Sequence, residues 1–317
     1  MSANGKDFIY FGTDGIRGNA ETLLTNQLVK KIGFYCSQIL PQNGPVLIGH
    51  DSRSSSTRIS SALTIGLNTG GKEVWLLGLC PTPAIPFLIK KHKLSGGVMI
   101  SASHNPPKDN GIKIFDENGE KISENKQLLI DQGIKEKEVI DYKKYIDVKT
   151  REYLMEEYIS SLIEIIGSDS LKEIPIVLDL CWGSATSCGE SIFKSLGAKL
   201  TTINSIPSGS KINVNCGSTH LGHIQKAVRE TNSEMGFAFD GDADRMIAID
   251  SKGRVIDGDH ILFLWGSELK KENILSEKLL IATVMSNLGF EKAWLKKGGK
   301  LIRTQVGDKY VYQEMVQ

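Results

Sequence analysis

The stretch GGVMISASHNPPKDNGIKIF, residues 96–115, decides how the chain is read. Its first five residues form a short apolar run that reads as a strand, and the strand opens directly into a polar segment. That segment carries Ser101, Ser103, His104, an Asn105-Pro106 turn, Lys108 and Lys113. The loop therefore lies at the C-terminal end of a strand, where open α/β sheets form their ligand crevices.

Upstream, PVLIGH (45–50) reads as a buried strand, residues 57–68 as a helix stopped by Gly70-Gly71, and EVWLLGL (73–79) as the next strand. Short Val/Ile/Leu runs alternating with helical periods are the mark of βαβ units and a mainly parallel sheet. Downstream, the lysine-rich IKEKEVIDYKKYIDVK (134–149) reads as a surface hairpin or linker with a solvated face. EYLMEEYISSLIEII (152–166) follows, with Tyr153, Leu154, Tyr158, Leu162, Ile165 and Ile166 at helical spacing. Strands IPIVLDL, KLTTIN and EMGFAFD come next. After Asp257 the chain reads strand KLLIATVM, helix NLGFEKAWLKK, strand KLIRT and helix GDKYVYQEM. VLIGHDSRSS, IVLDLCWGSA and LIATVMSNLG repeat one beat of apolar strand, small polar turn and helix start. The expected organisation is three related α/β domains with mixed or parallel sheets, at residues 1–150, 151–252 and 253–317.

A chain of 317 residues with 40% hydrophobic and 24% charged residues fits such a multidomain globular protein. Its 38 Lys+Arg against 37 Asp+Glu give no electrostatic reason to expect nucleic acid or an acidic membrane as partner. The N-terminus lacks a signal-peptide pattern, and VWLLGLCPTPAIPFLI (74–89) is short and broken by three prolines. A cytoplasmic protein is the expectation. Five irregularly spaced cysteines argue against a disulfide framework.

The strongest chemical signal is FDGDADR (239–245). Asp240, Asp242 and Asp244 alternate with Gly241 and Ala243, so three carboxylates can turn to one side as oxygen ligands for a hard cation. An EF-hand is excluded, since Arg245 and Ser251 stand at the sixth and twelfth positions where that loop needs Gly and Glu. The plainer alternative is a solvated turn between strands. Magnesium held by few protein ligands usually shares its shell with a phosphate. Ser103, turned into a crevice beside His104 with Lys108 and Lys113 near in sequence, is a candidate carrier, although on the local sequence alone an ordinary Asn-Pro turn is the better reading. FGTDGIRG (11–18) reads either as a tight turn or, through Arg17, as an anion cradle before a helix beginning near Thr25. Cys216, His220 and His223 could be read as zinc ligands lacking a fourth, or as a structural turn and helix start.

Together, FGTDGIRG, SHNP and DGDADR occur in the order found in the α-D-phosphohexomutases, and the chain resembles that family over essentially its whole length. The resemblance implies Ser103 carried as phosphoserine, one Mg²⁺ held by Ser103, Asp240, Asp242 and Asp244, and Arg17, His104, Lys113 and Arg245 around the transferring phosphoryl group. It also implies a phosphosugar substrate, a sugar bisphosphate activator, and a bisphosphate intermediate that reorients in a cleft. PSGSKINVNCGSTH, VIDGDHIL, TVMSNLGFE and QVGDKYV look most like the branch that interconverts glucosamine 6-phosphate and glucosamine 1-phosphate. The alternatives are the mannose- and glucose-phosphate branches, or a non-catalytic protein that binds metal and sugar phosphate. The family pattern continues with a GE-x-SG sugar-reading loop and an RxSGTEP-like phosphate loop, and neither motif occurs here. The expectation is therefore an incomplete third domain, an absent fourth, impaired turnover and a tendency to self-associate. His50 and Trp182 also depart from the pattern, which has Lys and Asn more often.

Overall fold

In the computed structural model, which describes residues 10–12, 14–136, 139–143 and 147–316, the run Gly96–Ile100 lies inside a seven-stranded sheet. The strands are β1 (Phe11–Gly12), β2 (Gly15–Asn19), β3 (Val46–His50), β4 (Val74–Leu79), β5 (Gly96–Ile100), β6 (Asp109–Phe115) and β7 (Val148–Thr150), in spatial order β1-β2-β6-β5-β3-β4-β7. The β5-β3-β4-β7 portion is parallel, while β6, β2 and β1 add antiparallel neighbours. Helices α1 (Asn26–Ile39), α2 (Ser56–Thr69), α3 (Ala84–His92) and α4 (Glu124–Lys135) connect these strands. Thr25 caps α1 by accepting the Leu28 amide at 3.3 Å.

Both faces of this sheet are covered, which is why the runs Val46–Ile48 and Val98–Ile100 at its centre are apolar at every position. Val46, Ile48, Val98 and Ile100 pack into one core with Ile32, Leu63 and Ile130. Leu47 and Met99, one residue out of phase, pack into the other with Leu77, Ile85 and Leu88. Each such side chain contributes about 1.5–3 kcal/mol by leaving water.

The second core continues into α5 (Leu154–Ile166) and onward. Next come β8 (Pro175–Asp179), α6 (Gly189–Ser195), β9 (Lys199–Ile203), α7 (Gly222–Glu230) and β10 (Met235–Phe239). Strand β8 pairs in parallel with β9 on one side and β10 on the other. Everything up to Met246, with Ser251–Gly253, forms one structural unit. The other comprises Ile247–Asp250 and the residues from Arg254 on. It holds most of β11 (Met246–Asp250), then β12 (Val255–Ile256), α8 (Gly258–Lys271), β13 (Leu279–Thr283), α9 (Leu288–Lys296), β14 (Lys300–Thr304) and α10 (Asp308–Met315). Strands β13 and β14 are parallel, and their small core centres on Trp294, whose indole donates to the Lys300 carbonyl at 2.8 Å.

Four local expectations need correction. Residues 109–115, read as part of a loop, form β6, with Asn110, Ile112 and Ile114 buried between neighbouring strands. Within the glycine-rich segment, Phe11–Gly12 and Gly15–Asn19 are strands, paired antiparallel with Gly12 opposite Gly15, and β2 gains further hydrogen bonds along β6. Within the lysine-rich region, 137–138 and 144–146 lie outside the described residues, Val139 is exposed, and Val148–Thr150 becomes the sheet-edge strand β7. On α5 the buried positions are Leu154, Met155 and Tyr158, whereas Tyr153, Ile165 and Ile166 are exposed, Ile165 by 80%. Periodicity identified the helix but could not show where its packing partners end.

Candidate active site

Ser103 sits on the segment between β5 and β6, and buried groups from both sheets fix its backbone. At the end of β3, Asp51 accepts from Ser101 Oγ at 2.6 Å, and Ser101 Oγ in turn accepts the Ser103 amide at 2.9 Å. Arg53, fully buried with Asp51, binds that carboxylate through Nε at 2.9 Å. Its Nη atoms reach the carbonyls of Ser103 at 2.9 Å, Asn105 at 2.8 Å, Asp109 at 2.8 Å and also Pro106. From the second sheet's side, Asn213 Nδ2 donates to the Ser103 and Asn105 carbonyls at 2.8 and 3.1 Å. These bonds maintain Ser103 at φ +52°, a left-handed conformation that costs a non-glycine residue about 1–2 kcal/mol.

Arg53→Ala would strand a buried carboxylate and four carbonyls. Its expected cost is about 3–5 kcal/mol, measured by urea unfolding, with Arg53→Lys recovering only part because an ammonium cannot span the same set. A loss below about 1 kcal/mol would contradict this role for Arg53.

The aspartate loop follows β10. It is closed by the Asp240 amide on the Arg245 carbonyl at 3.2 Å and the Ala243 amide on the Asp240 carbonyl at 3.1 Å. Gly241 is required at its centre, because a Cβ there would lie 2.7 Å from the Ser103 carbonyl oxygen and 2.8 Å from Asn213 Nδ2. One oxygen each from Asp240, Asp242 and Asp244 lie within 4.8 Å of one another. Asp240 Oδ2 accepts from Ser103 Oγ at 2.6 Å and from Arg245 Nη2 at 2.9 Å, and the same Nη2 also contacts Ser103 Oγ and His104 Nδ1. Asp242 Oδ2 accepts from Thr82 Oγ1 at 2.5 Å and Lys113 Nζ at 2.7 Å, and Lys113 also binds Asp244 at 2.9 Å and Asp14 at 3.4 Å.

The charges shift one another. Burial, reinforced by Asp242 and Asp244, pushes the Asp240 carboxyl up to about 6. For Asp242 the burial penalty is outweighed by Lys113, and its carboxyl moves down. Burial likewise opposes ionisation of Asp14, yet Lys113, Lys121 and Arg17 hold it at about 2. Lys113, only 2% exposed, is raised because the three carboxylates outweigh its burial. Burial, with Arg245 and Arg17 nearby, moves His104 down and keeps its imidazole neutral at neutral pH.

Asp242 Oδ1 is buried and has no hydrogen-bond partner among the described residues. An orphaned carboxylate oxygen within an all-oxygen set of three acids fits a hard divalent cation.

Of the residues expected from sequence, Ser103, His104, Lys113, Arg245 and the three aspartates converge in this cluster. Arg17, set opposite Gly111 on β6, reaches its edge by pairing with Asp14. Lys108 is exposed, and its carbonyl receives the Ala20 amide. The zinc reading fails on geometry. Cys216 is buried with its Sγ 3.8 Å from Cys181 Sγ, whereas His220 and His223 are exposed. Among the described residues, the aspartates are the one His/Cys/Asp/Glu cluster able to hold a metal. Sequence reasoning missed Asp51, Arg53, Thr82 and Asn213. The DSR that follows β3 was the available signal for the first two.

Comparison with known proteins agrees with this architecture. The family descriptions "Phosphoglucomutase/phosphomannomutase, alpha/beta/alpha domain" I, II and III match residues 9–140, 156–253 and 257–317. The chain is 63% identical over 308 residues to a phosphoglucosamine mutase of Prochlorococcus marinus, covering 97% of this chain and 67% of that protein. It is 53% identical to a phosphoglucosamine mutase of a Synechococcus species, covering 97% and 68%. It thus spans about two thirds of the length of these relatives. Among solved structures, a putative phosphomannomutase from Thermus thermophilus superimposes with a TM-score of 0.83 at 23% identity, covering 97% of this chain and 71% of the other. A Burkholderia thailandensis phosphoglucomutase/phosphomannomutase family protein gives 0.82 at 23%, covering 97% and 68%. With three successive family domains matched and relatives at this level of identity, the chain belongs to the phosphoglucomutase/phosphomannomutase family, the α-D-phosphohexomutases.

Proposed function

We propose that this chain carries the phosphoserine and metal machinery of a phosphoglucosamine mutase, which interconverts glucosamine 6-phosphate and glucosamine 1-phosphate. The observation that carries the reading is the meeting of Ser103 Oγ with Asp240 at 2.6 Å and with Arg245, beside an aspartate triad neutralised from behind by Lys113. Glucosamine is assigned because the relatives at 53–63% identity bear that activity's name.

In this reading Asp240, Asp242 and Asp244 hold Mg²⁺, which supplies positive charge beside the seryl phosphate. Phosphoryl transfer depends on positioning and on neutralising charge spread over the phosphate oxygens. Arg245 provides a guanidinium at the seryl oxygen, and Lys113 fixes Asp242 and Asp244 so that their charge faces the loop. Transfer breaks the Ser103 O–P bond and forms a sugar O–P bond, while the sugar hydroxyl proton leaves and the seryl oxygen regains one. His104 Nδ1, 3.5 Å from Ser103 Oγ and kept neutral, is suited to carry that proton. Arg17 adds positive charge at the rim. The burial of Ser103 limits hydrolysis of the phosphoenzyme.

The test incubates the chain and Mg²⁺ with glucosamine 1,6-bisphosphate. The expected result is one phosphoryl group on the peptide containing Ser103, with an equal amount of glucosamine monophosphate released. No incorporation by folded chain would overturn the proposal. Equal labelling rates from glucose and mannose bisphosphates would overturn the amino-sugar assignment alone.

A further inference from the structure

Outside the proposed active site, the second sheet holds two thiols in contact. Cys181 and Cys216 lie at the end of β8 and in the loop before α7, 35 residues apart, with Sγ atoms 3.8 Å apart and both side chains buried. One carboxylate sets this approach. Asp179 Oδ1 accepts the Cys181 amide at 3.0 Å and Oδ2 accepts the Gly217 amide at 2.9 Å. Gly217 adopts φ +68°, and a Cβ there would meet Cys181 Sγ at 2.4 Å, so the crossing tolerates only glycine. We infer that Cys181 and Cys216 are a reversible oxidation site, taking a small peroxide as oxidant, whose disulfide loosens the Ser103 loop.

The chemistry balances with peroxide as the co-reactant. The Cys216 thiolate attacks a peroxide oxygen, the O–O bond breaks, and a sulfenic acid and hydroxide form. The Cys181 sulfur then displaces the sulfenic oxygen, which leaves as water. Overall, two thiols and one hydrogen peroxide give one disulfide and two waters. Cys181 commits its one S–H to Asn213 Oδ1, which leaves Cys216 as the first nucleophile. Because both sulfurs are buried, a small oxidant admitted by brief loop opening suits the site better than a bulky disulfide.

The link to Ser103 is direct. Asn213 Oδ1 accepts from Cys181 Sγ at 3.2 Å, while its Nδ2 binds the carbonyls of Ser103 and Asn105. A disulfide has no S–H to donate. Forming its bond of about 2.05 Å also draws the 211–217 loop, with Asn213, toward Cys181.

The experiment treats the reduced 317-residue chain with hydrogen peroxide, alkylates it in denaturant with N-ethylmaleimide, and maps peptides by mass. A Cys181–Cys216 peptide that dithiothreitol abolishes is expected, with Cys36, Cys80 and Cys188 still alkylated. Cys216→Ser, with Cys181→Ala as a second variant, should leave the remaining cysteines alkylated. Continued alkylation of Cys181 and Cys216, or oxidation chiefly at other cysteines, would overturn the site. Labelling of Ser103 by the sugar bisphosphate should slow about tenfold in the oxidised chain, recover with dithiothreitol, and resist peroxide in Cys216→Ser. An unchanged rate in disulfide-bonded chain would overturn the coupling. This arm rests on the function proposed above, and failure of the reduced chain to label would overturn that function, whereas the peptide map judges the oxidation site independently.

Discussion

Ser103→Ala is expected to abolish phosphate incorporation from a sugar bisphosphate, while Ser101→Ala slows it by about tenfold and leaves the label on Ser103. Both hydroxyls are buried and stand two residues apart, so burial does not distinguish them. Their partners do. Ser101 Oγ donates to Asp51 and accepts the Ser103 amide, leaving it committed to the backbone of the loop. Ser103 Oγ instead faces Asp240 and Arg245, the groups suited to a phosphate and its counter-ion. Thr82, the other hydroxyl in the cluster, is committed to Asp242. Alanine suits the left-handed position no worse than serine, and Asp240 keeps Arg245 as a partner, so the folded state should survive. The check is a phosphopeptide map beside a thermal melt. Phosphate on Ser103→Ala at the parental rate would remove the serine from the reaction.

The order of strands and helices was legible because the sheet is covered on both faces. A strand that must pack Val46 and Ile48 one way and Leu47 the other can only be apolar throughout, and such a run stands out between turns. Convergence of the site was not legible from spacing. Arg17, Lys113 and Asp242 belong to segments far apart in sequence, and only the combined resemblance of three loops brought them into one hypothesis. The local signals also misled in a consistent direction. Lys113 looked like the polar end of a loop, yet its strand carries it inward between three carboxylates. Arg53 falls in what reads as a small polar turn, but it is the buried donor that fixes the serine loop. Read from a single sequence, a charged residue is assigned to the surface. Where opposite charges or carbonyls converge through folding, that rule reverses.

Magnesium is expected to raise the melting temperature of the chain, more at pH 8 than at pH 5.5, and Asp242→Asn should remove the response. In the folded chain without metal, the Asp240 carboxyl titrates at about 6. In an unfolded chain it would titrate at about 3.9. The folded state therefore binds the extra proton between those values, so this group's contribution to stability is greatest below the unfolded value and falls as pH rises through about 6. A cation reverses the preference by binding the ionised form. Below pH 6 it must displace the proton, and its apparent affinity drops by up to about tenfold per pH unit. At saturating ion each tenfold loss removes about 1.4 kcal/mol of stabilisation. Asp14, held at about 2, stays ionised across this window and cannot imitate the effect. Asp242→Asn discards one of three charges together with the buried oxygen that lacks a partner, while an amide can still accept from Thr82 or Lys113. Scanning calorimetry with Mg²⁺ or chelator at both pH values provides the check. An equal shift at the two pH values would place the ion away from Asp240, and an undiminished shift in Asp242→Asn would place it away from the triad.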